Sequence, residues 1–229
     1  MPRNGGLLIS VIIPVWNGAV YLAETLDSVK RQGVATEIVV ADDGSTDKSR
    51  EIATEKGCRV LSLERGGISR ACNAGIARAA GRYIMLLDQD DVLCDACLAP
   101  LRDALEQDES LGAVTGKARD FISPELDERA RAEIALRPAP YYGLMTGSVL
   151  MHRSVPGLAG GFNEAYHAGQ AVDYLMRMAQ CGILCKKLDM VSVMRRIHAQ
   201  NTSRTMRNRQ FSDYGAILRA RLAAGKRNA

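Results

Sequence analysis

Three aspartates stand almost side by side after an apolar run in the segment IMLLDQDDVL, residues 84–93. Asp88, Asp90 and Asp91 repel one another, which raises their pKa values unless a cation neutralises them. Carboxylate oxygens suit Mg2+ or Mn2+, ions that commonly bridge a protein to the phosphates of a nucleotide. The residues alone also allow an acid–base pair of the glycosidase kind or an N-cap for the following helix. An N-cap needs one carboxylate only, so metal binding explains the cluster best.

Two further polar clusters, PVWNG (14–18) and DDGSTD (42–47), also follow apolar runs. The second can offer a carboxylate to the N–H of a base or to the hydroxyls of a ribose. Trp16, the only tryptophan, is interpreted either as a ring that stacks on a base or as a core aromatic residue. No G-x-G-x-x-G follows the first apolar run, and GAVTGK (112–117) is one residue too short for a P-loop. A bound pyrophosphate would therefore be neutralised by a metal ion and by basic side chains.

The apolar periodicity predicts the elements that position these clusters. Strands are predicted at 7–15, 37–43, 58–63 and 82–87, and helices at 20–33, 45–57, 68–81 and 98–108. This alternation is typical of an α/β fold with a mainly parallel central sheet flanked by helices. Ligands of such sheets bind beyond the carboxyl ends of the strands, and all three polar clusters follow such ends.

The second half of the chain has a less regular pattern. Residues 118–140 are charged and contain three prolines, which predicts an excursion or a mobile loop. Further elements are predicted as a strand at 144–155, a glycine-rich loop and helix at 160–182, a strand at 183–198 and a terminal helix at 205–225. The helix within 160–182 is predicted to pack through one apolar face, formed by Val172, Leu175, Met176 and Ala179.

Charge is distributed unevenly along the 229 residues. From Arg195 to the end there are nine Lys or Arg residues and one acid, whereas the preceding body is mildly acidic. A basic tail suits a phosphate-bearing ligand, an anionic membrane surface or nucleic acid, and a solvated polar helix is the alternative. No apolar run reaches the ~18 residues of a transmembrane helix, and the N-terminus does not match a signal peptide.

The six cysteines allow a zinc site as a minor alternative. Cys94 and Cys97 form a C-x-x-C, and Cys181 and Cys185 lie four residues apart. The second spacing is a loose match to zinc-binding motifs, and Cys94 directly follows the acidic cluster. Free thiols in a reducing cytoplasm are therefore the preferred interpretation.

The chain closely resembles the family 2 glycosyltransferases of GT-A fold, which are inverting enzymes that use nucleotide-diphosphate sugars. The resemblance runs from about residue 7 to about 204 and is carried by SVIIPVWNGAVYLAETLDSVKRQ, EIVVADDGSTDKS, GISRACNAGIARAAGRYIMLLDQDD and GGFNEAYHAGQAVDYLMRMAQCG. It implies one domain over 1–204, with a nucleotide-binding half at about 7–117 and an acceptor half at about 118–204. Residues 205–229 then form a basic helix or tail.

The resemblance assigns nucleotide-binding roles to residues of the three clusters. It implies that the loop formed by Pro14, Val15, Trp16 and Asn17 packs on the base, and that Asp43, beside Asp42, binds the base, usually uracil. Arg70 and Asn73 match S-R-A-R-N-x-G, which lines the nucleotide site. Asp88, Gln89 and Asp90 match the D-x-D, whose first aspartate contacts the ribose and whose last binds Mn2+ or Mg2+. Asp88 and His198 are assigned together with Asp90 to the metal site.

The resemblance also implies the general base of an inverting transfer. In the family this base is usually the aspartate of an E-D pair after the G-G-F loop, and here the pair is Val172 and Asp173. The aspartate is therefore kept and its acidic neighbour is lost; a dipole-stabilising acid at the helix start is the alternative role. His198 and Arg196 match a late R-x-H-x-x-N-x-S segment, which implies contacts with the diphosphate or the metal ion.

These residues predict a metal-dependent, inverting transfer from a UDP-sugar to an unknown glycan, lipid-linked or protein acceptor. We expect a cytoplasmic enzyme, peripheral on the inner face of the membrane through its basic tail, in cell-envelope polysaccharide synthesis and without a nucleic-acid partner. One alternative is a sugar nucleotidyltransferase, which usually carries a glycine-rich basic signature where this chain has PVWNG. Another is a catalytically degenerate nucleotide-sugar-binding module, suggested by Val172 and by the short length.

Overall fold

A computed structural model of the chain describes residues 8–201 and 205–225. In chain order its elements are β1 (Ile9–Val15), α1 (Leu22–Lys30), β2 (Thr36–Asp42), α2 (Ser49–Glu55), β3 (Arg59–Ser62), α3 (Ile68–Arg78), β4 (Tyr83–Leu86), β5 (Val92–Leu93), α4 (Leu98–Gln107), β6 (Leu111–Ile122), α5 (Glu128–Ala132), a 3-10 turn (Thr146–Ser148), β7 (Val149–His152), α6 (Val155–Ala159), α7 (Gln170–Gln180), β8 (Leu184–Ile197) and α8 (Arg207–Gly225).

The strands form one mixed sheet in the order β3-β2-β1-β4-β7-β6-β8-β5. β1 lies between β2 and β4 and runs parallel to both; β3 is parallel to β2, and β8 is parallel to β6. β7 is antiparallel to β4 and β6, and β5 is antiparallel to β8. The prediction of an α/β fold with a mainly parallel sheet is therefore confirmed.

The core lies on both faces of this sheet, and β1 is buried along its whole length. Ile9, Val11 and Ile13 point to one face, where they join the apolar sides of α1 and α4. Ile12 points to the other face, where it joins residues of α3 and α7. A strand covered on both faces needs a continuous apolar sequence, which is why β1 could be recognised from its sequence.

The long strand β6 was not predicted, because glycines and charges interrupt its sequence. Both glycines have a steric reason in the pairing of β6 with β8. A Cβ on Gly112 would stand 2.5 Å from Ile183 Cγ2, and a Cβ on Gly116 would stand 2.4 Å from Ser192 Oγ. Glycine inside a strand often marks such a close approach. The C-terminal part of β6 and the short helix α5 occupy the segment predicted as an excursion, 118–140.

Helix α7 is present as predicted, but its buried face is rotated from the predicted one: of the four predicted residues only Leu175 packs against the core. Tyr174 and Met178 are buried, together with Asp173, whereas Met176 is half-buried and Ala179 is exposed. The ring of Tyr174 stacks on Phe162 with 4.3 Å between centroids. Because apolar residues occur on several sides of α7, their spacing did not identify the side that faces the core. The observed orientation places Asp173 on the protein side of the helix.

Helix α8 packs on the loop that precedes α7, and the predicted terminal helix is confirmed. Asp213 accepts hydrogen bonds of 2.9 Å from the backbone N–H groups of both His167 and Ala168. Ile217 is buried, and a Cβ on Gly169 would lie 2.9 Å from Asp213 Cβ. In the described ranges, no helix is both long and apolar enough to cross a membrane.

Candidate functional site

The loops that follow β1, β2 and β4 meet at one edge of the sheet, because these strands are adjacent and parallel. The first two loops are joined by hydrogen bonds from Asn17, whose backbone φ of 49° lies in the left-handed region. Its N–H donates to Ser45 Oγ at 3.0 Å, and its Oδ1 accepts from Thr46 N–H at 2.9 Å. Gly18 N–H donates to Ser49 Oγ at 2.9 Å. In this structure Asn17 therefore acts as a tie between two loops.

Gln89 joins the loop after β1 to the loop after β4. Its Oε1 accepts from Trp16 N–H at 2.9 Å, and its Nε2 donates to Trp16 O at 3.3 Å. The Gln89 carbonyl also accepts from Thr25 Oγ1 at 2.9 Å. Gly18 lies beneath this amide, since a Cβ there would stand 2.5 Å from Gln89 Oε1. The middle residue of the D-x-D thus holds Trp16 in position.

Trp16 is not a core residue, because 48% of its surface is exposed. The guanidinium carbon of Arg65 lies 3.8 Å from the centroid of its ring. Pro14 lines a cavity beside the loop, whereas the Val15 side chain is buried in the core and its carbonyl accepts from Asp43 N–H at 2.7 Å. The interpretation of Trp16 as a core aromatic is therefore wrong, and its ring is available at the surface.

The two aspartates at the carboxyl end of β2 have different surroundings. Asp42 is fully buried, accepts from Ser45 N–H at 3.3 Å and lies 3.4 Å from Arg50 Nε. Asp43 is also buried, and Arg65 is its ion-pair partner. It also accepts from two backbone N–H groups, at 2.7 Å and 2.8 Å, those of Gly66 and Gly67. Asp42 therefore stabilises its own turn, whereas Asp43 organises the loop that leads into α3.

Arg70 lies next to the same loop. It is exposed on the first turn of α3, and its side chain covers Gly66, where an added Cβ would be 2.4 Å from Arg70 Cδ. The absence of a side chain at Gly66 lets the arginine lie directly on the loop backbone. The structure thus brings Trp16, Asp43 and Arg70 together, as the sequence predicted, and adds Arg65, which the sequence analysis did not identify.

The acidic cluster after β4 carries excess negative charge. Burial, followed by the charge of Asp90, raises the pKa of Asp88 to about 6, and Arg195 opposes the rise. Burial and the charges of Asp90 and Asp88 also raise the pKa of Asp91 well above its usual value. Asp91 accepts from Arg196 N–H at 2.9 Å and so fastens the cluster to β8. A bound cation would relieve the repulsion that raises these pKa values.

His198 reaches the last aspartate of the D-x-D. Its Nε2 lies 2.7 Å from Asp90 Oδ2, and its Nδ1 accepts from Gln200 N–H at 3.2 Å. In one tautomer Nε2 carries the proton and donates it to Asp90; in the other Nε2 is unprotonated and can serve as a ligand of a cation shared with Asp90. Asn201 fixes the turn, because its Oδ1 accepts from His198 N–H at 2.6 Å. The ring centroid of Tyr21 lies 4.6 Å from that of His198.

The donor set of Asp90 and His198 fits a divalent cation held jointly by protein and ligand. Among the described residues, no group of three or more His, Cys, Asp or Glu side chains is arranged to hold a metal ion. The six cysteines are all free in the structure. Mg2+ at nucleotide sites usually takes only one or two carboxylates, and the substrate phosphates complete its ligands. One carboxylate and one imidazole, with Asp88 nearby, are sufficient for such a site.

Arg196 is placed as a buried support and not as a free cation. It is 2% exposed, its Nε donates to the Asp90 carbonyl at 2.8 Å, and its Nη2 pairs with Glu24. Its Nη1 donates to Ser123 Oγ at 3.3 Å. The guanidinium carbon also lies 4.9 Å from the ring centroid of Tyr21. Nε, Nη1 and Nη2 each have a protein partner and the side chain is buried, so in this structure the guanidinium faces protein groups; the predicted diphosphate contact stays a prediction.

Asn73 connects α3 to the G-G-F loop. Its Oδ1 accepts from Phe162 N–H at 2.7 Å, and its Nδ2 donates to Phe162 O at 3.0 Å. A Cβ on Gly161 would lie 2.8 Å from Asn73 Oδ1, so the loop fits closely around the amide. Asn73 therefore joins the two halves of the chain beside the site.

A cavity of about 40 Å3 lies between the D-x-D and the start of α7. Its walls include Pro14, Asp88, Met145, Thr146, Phe162 and Gln170. Gln170 Oε1 is buried and has no hydrogen-bond partner in the part of the chain that the structure describes. An unpaired buried acceptor is costly, which makes it a candidate ligand contact. Sequence reasoning missed Gln170, and its position three residues before Asp173 was the only available signal.

The candidate base Asp173 lies in the first turn of α7 and is 7% exposed. Its Oδ2 accepts from Arg177 Nε at 2.9 Å, one turn further along the helix. Arg177 also donates through Nη2 to Gly161 O in the G-G-F loop at 2.8 Å and through Nη1 to Ala159 O at the end of α6. Arg177 therefore fixes both the carboxylate and the loop. Asp173 itself does not line the cavity next to Asp88.

We expect Arg196→Met to lower the free energy of unfolding by about 2 kcal/mol or more, because Glu24 and the Asp90 carbonyl lose a buried partner. Urea unfolding followed by circular dichroism measures the change. Arg31→Met is the matched control, since Arg31 is exposed and its distance to Asp95 is 3.4 Å; the expected effect is within ~0.5 kcal/mol. An unchanged unfolding midpoint with weakened pyrophosphate binding would instead assign Arg196 to the diphosphate.

Comparison with solved structures places this fold among known glycosyltransferases. Staphylococcus aureus TarS (residues 1–349, in complex with UDP-GlcNAc) superposes with a TM-score of 0.70 at 17% identity, covering 85% of this chain and 60% of that chain. The mannosyltransferase PcManGT of Pyrobaculum calidifontis, in complex with GDP-Man and Mn2+, gives a TM-score of 0.66 at 19% identity over 84% and 58% of the two chains. At these identities the likeness establishes the GT-A fold.

Curated relatives share part of their length with this chain. The uncharacterized glycosyltransferase EpsJ of Bacillus subtilis is 36% identical over 132 residues, which are 52% of this chain and 38% of EpsJ. The chondroitin synthase of Pasteurella multocida is 29% identical over 212 residues, 86% of this chain and 21% of the synthase. This chain thus spans about a fifth to two fifths of the length of these two relatives. The sequence profile described as Glycosyl transferase family 2 matches residues 10–168, and the chain belongs to that family.

Proposed function

We propose that this protein transfers a sugar from a UDP-linked donor to an acceptor hydroxyl, with inversion at the anomeric carbon and with Mn2+ or Mg2+ required. The observation that carries the proposal is the meeting of three loops at one sheet edge. These loops present an exposed aromatic face at Trp16, a carboxylate at Asp43 and the pair of Asp90 and His198. The complexes of TarS with UDP-GlcNAc and of PcManGT with GDP-Man and Mn2+ support the choice of ligands to test.

The donor would lie along this edge from the base to the diphosphate. Trp16 offers a flat face to the base, and Asp43 offers a carboxylate to its N–H group. Asp88 lines the cavity and would accept from the ribose hydroxyls. Asp90 and His198 would hold the cation, which when bound neutralises the diphosphate as it leaves.

Asp173 is the proposed general base. The acceptor oxygen forms a bond to the anomeric carbon, the bond to the diphosphate oxygen breaks, and the acceptor proton passes to the Asp173 carboxylate. Arg177 orients this carboxylate through its 2.9 Å hydrogen bond to Oδ2. Gln170, three residues earlier on α7, has a buried acceptor oxygen and lines the cavity next to Asp88, where it can accept from a hydroxyl of the donor.

We also propose that α8 attaches the protein to an anionic membrane surface. Phe211 and Leu218 are 61% and 56% exposed, and seven residues apart they lie on one side of the helix. This side is opposite Asp213, which is buried against the body. Arg219 is exposed next to Leu218, whereas Arg209 lies on the side of Asp213, 3.8 Å from that carboxylate. Exposed apolar side chains with an adjacent arginine suit the headgroup region of anionic lipids, and this fits a lipid-linked acceptor.

Asp90→Ala should weaken UDP binding in the presence of Mn2+ by at least about tenfold, because the cation loses its carboxylate ligand. Isothermal titration calorimetry of UDP, GDP and ADP, each with Mn2+ and with EDTA, measures this. Asp95→Ala is the control, since the Asp95 side chain is 79% exposed and lies shortly after the cluster. If neither EDTA nor Asp90→Ala changes the affinity for UDP, the proposal that UDP binding depends on a metal ion is wrong. Lack of binding by all three nucleotides would favour the degenerate module.

Asp173→Asn should leave UDP binding unchanged and lower sugar transfer by about 10²- to 10⁴-fold, because the amide cannot accept the proton. Release of UDP from UDP-sugars in the presence of candidate acceptor glycans measures the rate. Asp189→Asn serves as the control because the Asp189 side chain is 87% exposed. Transfer at the wild-type rate by Asp173→Asn would show that another group is the base.

Replacing Phe211 and Leu218 together with serine should lower partitioning onto phosphatidylglycerol vesicles by about tenfold at low salt. Co-sedimentation of the protein with the vesicles measures the bound fraction. Leu158→Ser is the control, because Leu158 is 63% exposed on α6. If the wild-type protein stays in the supernatant, the membrane proposal is wrong.

A further inference from the structure

Arg65 contacts both groups that the proposed function assigns to the base. Its guanidinium carbon lies 3.8 Å from the centroid of the Trp16 ring, and the same guanidinium pairs with Asp43 through Nη1. The Asp43 side chain is 2% exposed, whereas the Arg65 side chain is 49% exposed. The arginine therefore lies over the site from the solvent side and can move without unfolding its surroundings.

A guanidinium and a nucleotide base make the same two kinds of contact. Both are planar and stack on an aromatic face, and both offer N–H donors in their own plane to a carboxylate. Asp43 has little capacity to accept hydrogen bonds from Arg65 and from a nucleotide base at the same time. Its two oxygens already accept from the backbone N–H groups of Gly66 and Gly67, at 2.7 Å and 2.8 Å, in addition to Arg65.

We propose that Arg65 is a built-in occupant of the base site that a nucleotide must displace. The inference rests on the proposed function, because it takes Trp16 and Asp43 as the base contacts. In the absence of nucleotide, Arg65 covers one face of Trp16 and neutralises a buried carboxylate. When a base binds, it replaces both contacts and the guanidinium turns to solvent.

The need to displace Arg65 lowers the affinity of any ligand that binds at the base site. A ligand that provides both a flat face and an in-plane N–H donor compensates for the contacts that Arg65 gives up. A ligand without a base, such as inorganic pyrophosphate, binds at the metal site and leaves Arg65 in place. Arg65 therefore competes only with ligands that carry a base and leaves binding of the diphosphate alone unaffected.

The contact between Arg65 and Trp16 can be tested without any ligand. Trp16 is the only tryptophan, so protein fluorescence reports on it alone. Arg65→Ala should increase the acrylamide quenching constant, because it uncovers one face of the ring. Arg31→Ala is the matched control, since it removes the same charge at the far end of α1 and should leave the quenching unchanged. Equal quenching in wild type and Arg65→Ala would overturn the inference.

Calorimetric titration then measures the displacement. With Mn2+ present, Arg65→Ala should bind UDP about fivefold more tightly than wild type, the factor expected from losing one exposed cation–π contact and one partly exposed ion pair. Pyrophosphate affinity should stay the same. Arg65→Lys should fall between the two, because an ammonium keeps the charge near Asp43 but cannot stack as a plane.

The outcomes separate the inference from the proposed function. If wild type binds UDP and Arg65→Ala binds it with the same or lower affinity, the inference is overturned and the proposed function stays intact. Weaker binding of both UDP and pyrophosphate would show that Arg65 acts as a phosphate contact, which also overturns it. Absence of UDP binding by wild type and variant alike would overturn both.

Discussion

The crowding of carboxylates at one edge of the sheet is the constraint on which the rest of this site depends. Asp42 ends β2 and Asp43 follows it, and three aspartates follow β4, on the other side of β1. Each buried charge needs a partner, because desolvation without compensation is costly. The structure supplies a different partner for most of them: Arg50 for Asp42, Arg65 for Asp43, His198 for Asp90 and the Arg196 backbone N–H for Asp91. These partners hold the ends of β3 and β8 close to the edge.

Several residues that the family resemblance assigns to the ligand act first as ties within the protein. Gln89 and Asn73 each direct a side-chain amide to both backbone groups of one residue, Trp16 and Phe162 respectively. Arg196 is surrounded by protein acceptors. Sequence can place such a residue beside a site, but the direction of its side chain depends on neighbours that are distant in the chain. Their assignments as ligand contacts stay predictions.

The first half of the fold could be predicted because its strands are covered on both faces and therefore have continuous apolar sequences. The predicted alternation of strands and helices then placed three loops at the carboxyl edge of the sheet. These loops carry Trp16, Asp43 and the D-x-D. In the second half, β6 was missed because its glycines serve close contacts with β8. The buried face of α7 was predicted incorrectly because stacking on Phe162 determines it. Tertiary packing determines both features, and the spacing of residues along the sequence carries no information about that packing.

The amide of Gln89 has a thermodynamic consequence for the whole edge. It joins the backbone of Trp16 to the acidic loop, so a shift of either loop changes the energy of the other. Two ligands that bind on opposite sides of such a joint are energetically coupled. Linkage requires the coupling to be reciprocal: whatever factor the cation adds to nucleotide affinity, the nucleotide adds to cation affinity. A single side chain between two aspartates can in this way make donor and cation bind as one unit.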